Sequence, residues 1–151
     1  MATKFKIYLK LFYLGTWLNN KKLPNIFVLP VSYLYNIYGE FFLGIEIPLK
    51  VRIGRGLSIY HGYGTVVSSS AIIGDNCVLR QGITIGEKTI NCNDCPTLGD
   101  RVDIGAGAVV IGRISIGNDV KIGANSVVLK SVPDGAVVAG NPAKIISHEA
   151  K

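Results

Sequence analysis

Residues 98–132 read LGDRVDIGAGAVVIGRISIGNDVKIGANSVVLKSV, and their order decides the fold. Every sixth position is aliphatic: Leu98, Ile104, Val110, Ile116, Ile122 and Val128 form one class. Four residues after each stands Val102, Ala108, Ile114, Val120, Ser126 or Val132, and glycine follows the first class at 99, 105, 117 and 123. A six-residue apolar period fits neither an amphipathic helix nor an alternating strand. It fits a parallel β-helix in which each hexapeptide supplies a short strand and a turn. Three hexapeptides per coil make a triangular prism with an aliphatic interior, small residues at the corners and glycine relieving the backbone where it bends.

The period extends outward from this stretch. Val67, Ile73, Leu79 and Ile85 form an earlier run with Ala71, Cys77, Ile83 and Thr89, and Ile47, Ile53 and Ile59 begin it with Val51, Leu57 and Tyr63. The phase breaks twice: two extra residues fall between Ile59 and Val67, and a longer loop spans about residues 86–97. The expected organisation is therefore a helical N-terminal segment over 1–45, a β-helix over 46–146 and a tail over 147–151. In the N-terminal segment Ile7, Leu11, Leu14 and Leu18 carry helical spacing, and a second helix is expected after Pro30, holding Tyr33, Leu34, Ile37, Tyr38 and Phe41. Lysines at 4, 6, 10, 21 and 22 accompany these apolar residues. Two readings stay open for this segment: helices packed on the prism or on a neighbouring subunit, or a peripheral membrane contact through residues 1–22.

At 151 residues the chain is one domain with a short appendage. A net charge of +6 invites nucleic acid, but no arginine-rich run, stacking motif or finger spacing supports it, and a basic surface serves a polyanionic cofactor equally well. Three cysteines without a signal-peptide pattern point to a reducing compartment, the cytoplasm. Residues 26–38, interrupted by Pro30, are too short to cross a bilayer.

The chemistry is expected at Ile59-Tyr60-His61-Gly62-Tyr63-Gly64, where an imidazole stands in a register otherwise filled by glycine and small polar residues. The other histidine, His148, lies in the expected solvated tail. Cys92 and Cys95 form a Cys-x-x-Cys without the further ligands a zinc site needs, so no metal is predicted.

The repeats IGRGLS, IIGDNC, IGAGAV, IGNDVK and IGANSV, closed by VVLKSVPDGAVVAGNPAKII, resemble those of the hexapeptide-repeat acyltransferases, whose prism is left-handed. Within that superfamily, GIEIPLKVRIGRGLSIYHGYGTVV, IIGDNCVLRQGITIG and PTLGDRVDIGAGAVVIG look most like serine acetyltransferase and its shorter relatives in polysaccharide biosynthesis. The resemblance implies a mainly β fold, a left-handed parallel β-helix, that transfers acetyl from acetyl-CoA to a hydroxyl in a homotrimer. It implies His61 as general base, the side chain that most often takes a proton from a reacting hydroxyl. Glu46, fifteen residues upstream where serine acetyltransferases carry Asp, is expected to orient the ring. Ala106 and Ala124 are expected to border the pantetheine arm, with Lys130 and Lys144 near the nucleotide.

The departures bear on the acceptor. Serine acetyltransferases place Asp before the catalytic His, where this chain has Tyr60, and carry Arg-His-Pro where this chain has Asp94-Cys95-Pro96. A zwitterionic acceptor needs a fixed anion and a fixed cation. Tyr60, Tyr63 and Cys95 are therefore read as acceptor contacts in a sugar or glycan O-acetyltransferase at the cytoplasmic side of a membrane. Serine acetylation, and a non-catalytic scaffold or metal-binding trimer, are the alternatives.

Overall fold

The computed structural model describes residues 3–21, 25–89 and 94–148. Helix α1 (Thr3–Asn20) and helix α2 (Asn25–Ile37) are followed by a π-helical turn, Tyr38–Leu43, and then by short strands alone. The strands form three sheets. The first stacks Ile45–Glu46, Thr65–Val67, Thr84–Gly86, Val109–Ile111 and Val127–Val128. The second stacks Arg52–Ile53, Ile72–Ile73, Thr97–Leu98 and Ser115–Ile116; the third stacks Ser58–Ile59, Val78–Leu79, Asp103–Ile104, Lys121–Ile122 and Ala136–Gly140. Consecutive strands pass from sheet to sheet and pair in parallel with the coil above, the arrangement of a triangular β-helix.

Both apolar classes point inward, except for Tyr63 and Thr89, which are exposed. Ile59, Leu79 and Ile104 stack on one face, and Ile85 on Val110 on another, all at 0% exposure. Burying each such side chain contributes about 1.5–3 kcal/mol. On the second corner a polar ladder ties the coils together. The backbone N–H of Arg55 donates to Asp75 at 2.7 Å, that of Asp75 to Asp100 at 2.8 Å, that of Asp100 to Asn118 at 2.8 Å and that of Asn118 to Asp134 at 2.9 Å.

The glycines after the aliphatic class have a different cause from the one expected. Gly99, Gly105, Gly117 and Gly123 are not among the residues with positive φ. A Cβ on Gly105 would stand 2.5 Å from the Ala124 nitrogen of the next coil, so close approach, not bending, excludes a side chain.

The N-terminal segment also differs from its sequence pattern. In α1 the buried face is Phe5, Tyr8, Leu9, Phe12 and Leu18, while Ile7 and Leu14 are exposed. A helix apolar on several sides satisfies 3–4 spacing in more than one way, and the aromatic face fills the space above the first coil. Tyr8 stacks on Tyr35 of α2 at 4.7 Å, and the Tyr35 hydroxyl donates to the Ile47 carbonyl at 2.5 Å. Helix α2 begins at Asn25, with Pro30 inside it instead of at its start. The bond Pro30 cannot make would go to the carbonyl of Ile26, an exposed residue whose oxygen water can serve. Tyr33, Leu34 and Phe41 are exposed; Tyr35 and Leu43 are the buried large apolar residues of this stretch. At the other end, Ser147 and His148 are exposed but pair with Val137 and Ala136 in an antiparallel strand, Ala143–His148, so they are not a free tail.

Candidate active site

The hexapeptide at 59–64 lies at the corner between the third and first sheets. From Ile59 to Val67 the chain spends two residues more than from Leu79 to Ile85 in the coil above, and the surplus forms an outward loop. Gly62 turns inward: a Cβ there would meet Ile59 at 2.4 Å and Ile45 at 2.9 Å. Its neighbours are thereby turned outward, and Tyr60, His61 and Tyr63 are exposed. His61 has a left-handed backbone, φ 53, with its carbonyl accepting from the Tyr63 N–H at 2.7 Å. The same left-handed geometry recurs at the prism corners in Asn76, Arg101, Asp119 and Asn125, so it belongs to the turn; what sets this corner apart is the imidazole it carries.

Two cations border this loop. Lys4, from the first turn of α1, donates to the Tyr63 hydroxyl at 2.5 Å and lies 4.4 Å from that ring's centroid, while Phe5 meets the ring edge-on at 6.2 Å. Arg80, one coil above Tyr60, pairs with Asp103, which holds its guanidinium charged. Neither residue is marked by the sequence as a site residue, because each contact joins segments far apart in the chain.

Glu46 sits on the outer side of the first sheet, in register with Val66 and exposed. It lines a surface depression with Glu40, Gly44, Ile45 and Val66. Gly44, left-handed at φ 57, closes the π-helical turn, and its carbonyl accepts from Gly64 at 2.7 Å, which joins this depression to the His61 loop. Among the described residues no ion pair joins Glu46 to His61. Glu40 is a second carboxylate beside the same depression.

Along the same prism edge the backbone bonds Gly82 to Tyr63, Gly107 to Gln81 and Asn125 to Ala106, each at 2.8 Å, align Tyr63, Gln81, Ala106 and Ala124 in one column. Ala124 lies three coils from His61, roughly 14 Å at the usual strand spacing. Above Gln81 the edge carries only glycine, alanine and asparagine, which leaves room for an extended ligand. Lys144 pairs opposite Ala139 at the far end of the third sheet, on this edge; Lys130 follows the last strand of the first sheet, on a different one. Cys95 is buried at the corner between the first and second sheets, with its thiol towards Glu87 at 3.8 Å, and one chain does not bring it to His61. Cys92 lies outside the described residues. Cys77 is an inward-facing thiol that burial pushes up in pKa. No group of three or more His, Cys, Asp or Glu among the described residues could hold a metal ion.

A parallel β-helix of hexapeptides with one histidine raised at a prism corner defines a hexapeptide-repeat transferase. The bacterial transferase hexapeptide family (six repeats) matches residues 96–130. A putative colanic acid biosynthesis acetyltransferase, WcaB of Escherichia coli K12, is 38% identical over 131 residues, 87% of this chain and 81% of that protein. The serine acetyltransferase of Helicobacter pylori 26695 is 46% identical over 111 residues, 73% of this chain and 65% of that enzyme. A solved serine acetyltransferase from Brucella abortus, in complex with coenzyme A, superposes with a TM-score of 0.82 at 33% identity, covering 94% of this chain and 55% of that one. The chain belongs to the hexapeptide-repeat acetyltransferases. It spans little more than half the length of the solved serine acetyltransferases it matches.

Proposed function

We propose that this chain transfers an acetyl group from acetyl-CoA to a hydroxyl of a sugar or glycan, in a homotrimer whose sites lie between adjacent prisms. His61 takes the proton of the acceptor hydroxyl as its oxygen attacks the thioester carbonyl. The proton then passes to the departing thiolate, and no covalent enzyme intermediate is required. Glu46 orients the ring and stabilises its charged form as neighbouring groups close the site. The coenzyme follows the column of Ala106 and Ala124 towards Lys144, with Lys130 of a neighbouring prism near its nucleotide and that prism's Cys95 on the acceptor side.

The observation that carries the reading is the exposed His61 on an outward loop between two exposed tyrosines. Tyr60 offers a flat apolar face with a hydroxyl tip, suited to a pyranose, and Tyr63, whose ring and hydroxyl engage Lys4, stands beside it; neither is a carboxylate that would hold an amine. The similarity to WcaB favours the same acceptor class, whereas the similarity to serine acetyltransferases favours serine. The deciding experiment measures thiol release from acetyl-CoA with free serine, sugar nucleotides and oligosaccharides as acceptors. Turnover with saccharides above serine is expected; turnover with serine alone would replace the sugar by the amino acid.

A further inference from the structure

We propose that the outer face of α2 and the turn after it is a peripheral docking surface for an anionic lipid bilayer. Ile26, Leu29 and Tyr33, at 75%, 63% and 71% exposure, follow one another at three- and four-residue steps along one side of the helix. Phe41 and Phe42, at 83% and 68%, extend the apolar surface beyond it. Scattered exposed apolar residues are ordinary, but a run of this size along one element marks an interaction surface. α2 contains no charged residue at all. Its length rules out a span, and no described helix is long and apolar enough to cross a membrane, so the geometry is that of a helix lying in the interface.

Charge selects the occupant. Five lysines, at 4, 6, 10, 21 and 22, and no acidic residue precede Glu40, while the rest of the chain balances eleven basic residues against all ten acidic ones. Residues 1–42, the segment that bears the apolar face, therefore hold +4 of the net +6. A second copy would bring the same positive charge against itself; an anionic headgroup layer meets both features at once. The structure also extends the apolar contact beyond residues 1–22. Phe5, Tyr8 and Phe12 are buried against the prism and unavailable to lipid, while Ile7, Leu14 and Trp17 of α1 stay exposed. Residues 26–42 carry most of the insertion, with Glu40 the one carboxylate among them, and α1 supplies cations beside its own exposed Trp17.

The test is vesicle co-sedimentation of the full chain, which needs no turnover and is therefore independent of the acceptor. Vesicles of phosphatidylcholine mixed with phosphatidylglycerol should bind the protein, vesicles of phosphatidylcholine alone should bind it roughly tenfold less, and raised salt should release it. The Leu29→Asp/Tyr33→Asp double variant should lose binding while keeping its helical circular dichroism and assembly mass. A Lys6→Gln/Lys10→Gln/Lys21→Gln variant should lose the preference for anionic lipid. Indifference of the unaltered chain to both vesicle types overturns the proposal. So does a fall in assembly mass of the double variant, which would mark the face as a contact between copies.

Discussion

His61 is held in a backbone conformation that asparagine adopts more readily than most residues. The variant His61→Asn therefore keeps the left-handed turn while removing the base. It should lower turnover by about 10²–10⁴-fold with its thermal midpoint unchanged, and acetylation at the original rate would exclude His61 from catalysis. Glu46→Gln should produce a smaller fall in kcat with little change in the KM for acetyl-CoA, and no change at all would remove Glu46 from the site. The sequence marks His61, because an imidazole breaks a pattern of small residues. It does not mark Lys4, because the contact with Tyr63 spans 59 residues and depends on where α1 docks.

At the scale of the element, the two buried tyrosines fasten the helices to the prism. Since Tyr35 gives its proton to the Ile47 carbonyl, Tyr8 is the donor in the 2.5 Å bond between the two hydroxyls. Burial pushes both phenols well above their ordinary range. They remain neutral in the folded chain, whereas unfolding lets them ionise near pH ~10. Their contribution to stability is complete below that pH and is lost as pH rises through it. The denaturation midpoint should drop between pH 9 and 11, both chosen to bracket the ordinary tyrosine value of about 10, and Tyr8→Phe/Tyr35→Phe should flatten the drop. A slope unaltered by the double variant would assign the effect to other groups. The pattern of residues 3–18 announces a helix but not its buried face, since apolar residues stand on several sides and only packing on Ile47 selects the aromatic one.

For the whole molecule, stability is a sum over stacked coils, each touching only its neighbours. Ile85, buried at 0% between Val67 and Val110, should cost about 2–5 kcal/mol on replacement by Ala in denaturant unfolding. A much smaller value would mean that the coils collapse around the gap. The outward positions also differ from sheet to sheet. Above Glu46 the first sheet presents Val66, Thr84, Val109 and Val127, while the third presents Asp103 and Lys121 and the second Arg52. Above Arg52 the second presents Ile72, Thr97 and Ser115, so the first and second sheets carry one outward charge each, and the first, with three valines, is the more apolar and the one suited to contact between prisms. Val109→Asp should lower the assembly mass in light scattering and abolish turnover with it; an intact, active assembly would place the contact elsewhere.

The six-residue period already dictates the prism, because a side chain recurring once per face has nowhere to go but inward or onto its copy in the next coil. It also dictates where the prism is interrupted, since two surplus residues cannot be absorbed without a bulge, and that bulge holds His61. Tertiary structure alone decides which glycines are needed for close approach instead of bending. It also decides that a lysine from the first helical turn reaches Tyr63, and that α2 leaves its apolar face uncovered. Those outcomes depend on distances between segments that local pattern does not encode: Gly105 against Ala124, Lys4 against Tyr63, and Tyr35 against Ile47.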